Sequence, residues 1–181
     1  MTEIVSDGRR DAASHLLFAH GAGAGMDSAF LVRIAKLLAD AGLCVHRFEF
    51  AYMAARRDGG SRRPPPRAEK LSGEYEAAVA QVAKSLGKGQ RLFIGGKSMG
   101  GRVASLVADA LWTNRTIAGL VCVGYPFHPI GQPFDPSIHE AVTTVATSEG
   151  IADGQIVGVV RPGYLIGEDV LRPALVAVAG R

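Results

Sequence analysis

The chain has 181 residues, 48% of them hydrophobic, and a formal net charge of +3. That length and apolar content predict one globular domain with its own core, and exclude a disordered or fibrous chain. So small a charge does not by itself argue for a nucleic-acid partner, and no apolar run is long enough to span a bilayer.

In chain order, short apolar runs alternate with helix-period segments, which predicts a mostly parallel α/β sheet. The start, "MTEIVSDGRRDAASH", has no apolar stretch behind its charges, so no secretory signal and a cytoplasmic location are expected. The first strand is "HLLFAH", 15–20, followed by a glycine-rich turn, "GAGAGMD". A helix should begin near Ser28, capped by Asp27 or Ser28, with Phe30, Leu31, Ile34, Leu37 and Leu38 on its apolar face and Gly42 at its end. "LCVHRFEF" reads as the second strand. From 51 to 70 the chain turns basic and rich in Gly and Pro, which predicts a loop. That loop is either a solvated edge or an electropositive rim for anionic substrates or an acidic protein partner.

A second helix is expected over 72–86, with Tyr75, Val79, Val82 and Leu86 on one face. The strand "RLFIGG" leads into "KSMGGR" and then a helix with Val103, Leu106, Val107 and Leu111 inward. "IAGLVCVG" is the next strand. Cys44 and Cys122 each sit in a strand-like run, without metal-ligand or redox spacing, and read as reduced core residues. The prolines of "YPFHPIGQPFDPS" favour an extended loop. After Ser137 the pattern weakens: "GQIVGVV" can be a strand and "GEDVLRPALVAVA" a helix interrupted at Pro173. The expected architecture is a three-layer α/β/α sandwich, one domain over 1–181, with 137–181 as a divergent tail.

Gly96-Lys97-Ser98-Met99-Gly100 can be read in two ways. A phosphate-binding loop needs a glycine five residues before Gly96, where Arg91 stands, and a loop where Leu92, Phe93 and Ile94 read as strand interior. A nucleophile elbow fits. The nucleophile sits on a strained strand-to-helix turn, and side chains two before and two after it would collide with the neighbouring elements, so glycine is wanted at both places. Gly96 and Gly100 supply it. Acyl transfer also needs two backbone N–H groups facing the developing oxyanion. Met99, at the helix start, is one candidate, and Ala22, in a turn shaped by Gly21 and Gly23, is the other. The competing reading of "HGAGAG" is a dinucleotide fingerprint with Glu49 as its ribose acid, but Gly25 comes one position early for it.

"FAHGAGAGMDS", "GGKSMGGRVAS" and "GYPFHP" together resemble the α/β-hydrolases. More narrowly, they resemble small, lid-poor bacterial relatives of the dienelactone hydrolases and of a hydrolase-like domain in a histone-acetyltransferase complex subunit. The resemblance covers about 16–132. It implies a serine hydrolase acting on a small acyl substrate through Ser98, with no metal, cofactor, membrane or nucleic acid.

The resemblance also implies a later acid and a histidine near the C-terminus, and neither pattern is present. After Ser98 the histidines are His128 and His139. His128 follows the strand expected beside the elbow strand and is the candidate base. His20 should fix the oxyanion turn by hydrogen bonding, and His46 should be structural. Asp135, Asp153 and Asp169 are undistinguished candidate acids. Lys97 reads as a surface lysine or an anion contact. Three readings remain open: a truncated or frame-shifted hydrolase, a hydrolase using His128, and a hydrolase-like binding module without turnover.

Overall fold

The computed structural model describes residues 2–57, 59, 65–125, 132–147, 151–166 and 169–180. Strands buried on both faces need apolar residues at nearly every position, and the N-terminal part has such strands. In β2 (Ser14–Ala19) every residue after Ser14 is buried, and β3 (Cys44–Phe48) is buried throughout. Together with β1 (Ile4–Asp7), β4 (Arg91–Lys97) and β5 (Gly119–Val123) they form a sheet ordered β1-β3-β2-β4-β5. β1 runs antiparallel to β3, and the other pairings are parallel.

Helix α1 (Ala29–Asp40) covers one face, where Leu31 and Ala35 meet Leu16, Phe18 and Val45. Helices α3 (Ser72–Ala83) and α4 (Met99–Thr113) cover the other, burying Val79, Val82, Val103 and Val107 against Leu17 and Phe48. This is the expected α/β/α sandwich. Gly42 ends α1 at φ 94°, its N–H donating to the Ala39 carbonyl at 2.9 Å and that of Leu43 to Leu38 at 3.1 Å.

Several local expectations are corrected. Ser28 takes the N-cap position of α1 but makes no side-chain cap bond. Leu37 and Leu106, expected inward, are 60% and 47% exposed, because each lies off the stripe that α1 or α4 turns to the sheet. The stretch assigned to a loop over 51–70 begins with helix α2 (Ala51–Arg57), and 68–71 form a short 3-10 turn. Its alanines and arginines are good helix formers, a signal the flanking glycines and prolines obscured.

The tail differs most. Where one domain over 1–181 was expected, contacts divide the chain into two compact units, Met1–Tyr125 and Pro126–Arg181. The second unit is β structure. β6 (His139–Ala146), β7 (Ile156–Arg161) and β10 (Ala174–Gly180) form a sheet ordered β6-β10-β7, and β8 (Tyr164–Ile166) pairs with β9 (Asp169–Arg172). The helix expected across Pro173 is therefore two strands, with the proline between them, where no ladder N–H is lost. Ile156, Ala174 and Val176 form this unit's core.

Within the first unit, the fully buried Tyr75 joins α3 to the sheet. Its hydroxyl donates to the Gly95 and Leu17 carbonyls at 2.7 and 3.2 Å and accepts the Gly95 N–H at 2.9 Å. Tyr75→Phe leaves these groups without that partner, so it should cost about 1–3 kcal/mol in urea unfolding; an unchanged midpoint would refute the role. A second prediction concerns pH. Burial, with the neighbouring His15 ring and Arg10 charge, pushes the His46 imidazole from 6.5 down to about 4. The unfolded chain binds a proton below 6.5 that the folded chain refuses until about 4. Stability should therefore fall between those pH values, by up to about 1.4 kcal/mol per pH unit from this group. His46→Gln should show a correspondingly shallower acid slope in denaturant titrations; an identical slope would exclude His46 as a source.

Candidate active site

Ser98 lies between the last residue of β4 and the first of α4, at φ 50° and ψ −117°. Left-handed backbone at a non-glycine residue costs about 1–3 kcal/mol and persists only where the surroundings impose it. Here the surroundings are backbone. The Ser98 N–H donates to the Val123 carbonyl at 2.9 Å, and its carbonyl accepts the Arg102 N–H at 3.1 Å, fixing both sides of the turn. A Cβ at Gly96 would lie 2.5 Å from the Gly100 carbonyl carbon and 2.8 Å from the Ala19 oxygen. One at Gly100 would lie 2.5 Å from the His20 oxygen and 2.7 Å from that of Ala19. Both glycines are thus required by close approach.

The same approach brings in the turn after β2. A Cβ at the buried Gly21 would lie 3.7 Å from that of Ser98. His20 is buried beside it, its Nε2 accepting the Phe50 N–H at 3.2 Å and its Nδ1–H donating to the Gly21 carbonyl at 2.7 Å. Burial also lowers its proton affinity, so it stays neutral and holds the turn. The Tyr52 hydroxyl donates to the Ala22 carbonyl at 3.3 Å from α2, and burial raises its pKa to about 12. Glu49, weighed above as a ribose acid, instead accepts the Met26 N–H at 3.1 Å and approaches Arg57 at 3.3 Å. Glu49 and Arg57, with Gly23, Gly25, Asp27, Met53 and Arg56, line an open cavity of about 450 Å³. Tyr52 was missed in the sequence because it falls in the segment assigned to a loop.

Met99 opens α4, whose first N–H groups have no partner within the helix and carry its positive dipole end. Lys97 places its ammonium 4.8 Å from the Phe30 ring centroid. His128 lies outside the described residues. The remaining histidines of the first unit are engaged: His15 Nδ1 meets His46 Nε2 at 2.9 Å, and His46 Nδ1 meets Ser6 Oγ at 2.8 Å. In the second unit, His139 Nδ1 accepts the Asp135 N–H at 2.9 Å, while Asp153 and Asp169 are exposed. Neither pattern marks a triad.

If Ser98 is strained as described, Ser98→Gly should raise stability, by about 1 kcal/mol once the greater unfolded-state entropy of glycine is deducted. Thermal unfolding of the two proteins checks this, and a less stable glycine variant would contradict it.

Comparison with known proteins agrees with the fold. The chain resembles a lidless α/β serine hydrolase from Xanthomonas campestris at 18% identity and a TM-score of 0.54, covering 69% of this chain and 56% of that one. It also resembles a monoacylglycerol lipase from Paleococcus ferrophilus at 17% identity and a TM-score of 0.51, covering 74% of this chain and 47% of that one. A separate likeness joins 51 residues, 28% of this chain, to GrpE of Stenotrophomonas maltophilia at 55% identity. The chain spans 29% of that protein's length. No helix among the described residues is long and apolar enough to cross a membrane. The model of the alpha/beta hydrolase domain matches residues 12–155, most of the chain, and the chain belongs to that family.

Proposed function

We propose that the chain is a serine hydrolase acting on an ester, thioester or related acyl bond, with Ser98 as nucleophile. The observation that carries this reading is the φ 50° backbone of Ser98 between β4 and α4, beside the turn at Gly21. Strain held by close-packed glycines positions a hydroxyl at the head of the sheet. The N–H groups of Met99 and Ala22 are the proposed oxyanion donors. Attack on the acyl carbon would move the Ser98 proton to a base, and His128 is the residue assigned to that role. No metal or cofactor is required for this chemistry.

A second reading rests on a different observation. Every histidine described in the first unit already has hydrogen-bond partners away from Ser98. The unit would then bind acyl-like ligands without turnover. In either case, the second unit is the segment we assign to the GrpE likeness. The unit from 126 to 181 is close in length to the 51 matched residues, and it lies beyond most of the hydrolase-like motifs.

A fluorophosphonate probe distinguishes the two readings. The first predicts labelling of the wild-type chain, loss of labelling in Ser98→Ala, and a fall of about a hundredfold or more in labelling rate in His128→Ala. A folded wild-type chain that does not label would reject the hydrolase reading in favour of the binding one.

A further inference from the structure

Residues of like parity on paired strands share a sheet face, and register decides which of them meet. His15 pairs with Cys44 across β2 and β3, His46 lies two residues beyond Cys44, and Ser6 of β1 pairs with His46. Ser6, His15, Cys44 and His46 therefore share the face that carries Leu17 and Phe48 under α3 and α4. His15, Cys44 and His46 are 3%, 0% and 3% exposed. Two imidazoles and a thiol in that apolar layer carry a desolvation cost that leucines would not. None of them has a part in the proposed hydrolysis.

One ligand atom from each of His15, Cys44 and His46 lies within 4.8 Å of the others. The two rings are inclined by 9° with centroids 5.2 Å apart, and their facing nitrogens are 2.9 Å apart, so a single shared proton lies between them. We infer that His15, Cys44 and His46 form a binding site for a zinc-class divalent cation, which replaces that shared proton.

Two imidazoles and a thiolate are ligands that zinc prefers over magnesium or calcium. Tetrahedral zinc with bonds of about 2.0–2.1 Å to nitrogen sets its nitrogens about 3.4 Å apart. Binding thus opens the 2.9 Å contact by about half an ångström and turns the Cys44 sulfur inward. Ser6 Oγ, 2.8 Å from His46 Nδ1, can donate or accept. It accepts from Nδ1–H when Nε2 binds metal, which is the outer support that ligating histidines need. The proton count closes. The Cys44 thiol loses its proton to solvent, and the shared proton moves to an outer ring nitrogen, so one proton is released per cation and no redox change occurs. The fourth position is left to water.

The test uses the untagged, chelator-treated full chain, reduced and titrated with Co²⁺ and then Zn²⁺. The expected result is one equivalent of Co²⁺ with thiolate charge-transfer absorbance, displaced by Zn²⁺, with one proton released. Cys44→Ser should abolish the charge-transfer band, and Ser6→Ala should weaken affinity about 10–100-fold while leaving the band intact. If Cys44→Ser does not fold, the imidazole ¹⁵N resonances of the wild-type chain decide instead. Zn²⁺ must shift those of His15 and His46 and leave that of His20 in place. Absence of saturable binding to the folded chain, or binding that survives in folded Cys44→Ser, or unmoved imidazole resonances, would overturn the site.

Discussion

The first unit depends on three segments of backbone approaching one another with no side chain between them. The end of β2, the Ser98 turn and the first turn of α4 meet through Gly96 and Gly100, with the Ala19 and His20 carbonyls where side chains would otherwise be. Gly95 belongs to the same arrangement, since a Cβ there would meet the Val121 carbonyl of β5. Contacts of this kind leave no room for adjustment by rotamer change. They are a structural reason for Ser98 to hold a conformation it would not choose alone.

The polar groups around this contact serve it. His20 uses both ring nitrogens on backbone, Tyr52 reaches the Ala22 carbonyl, and Glu49 takes the Met26 N–H. Glu49 also explains Gly25, because a Cβ there would run into its carboxylate. The turn beside Ser98 is thus held from β3 and α2 as well as from its own glycines.

The second unit follows different rules. β6 is exposed from Glu140 to Ala146. The core of Ile156, Ala174 and Val176 is small, and the Asp135–His139 hydrogen bond and the Ser137 turn serve as local fastenings. The second unit is thus a thin sheet, where the first is a layered sandwich.

Much of the first unit was legible in the sequence because its strands are near-continuous apolar runs and its helices have a clear period. The crowded turn at Ser98 was legible because Gly96 and Gly100 flank it at the spacing that steric crowding demands. Other features depended on which segments meet in space. β1 is a short polar-edged run that becomes a strand only because β3 offers it an antiparallel partner. Pro173 suggested a broken helix, and only pairing of β10 with β6 and β7 makes the residues after it a strand. The engagement of His20, and the meeting of His15, Cys44 and His46, follow from register between strands far apart in sequence. Local composition determined which elements could form around Ser98; non-local pairing decided which side chains face one another, because a side chain's partners are set by the strand beside it rather than by its neighbours along the chain.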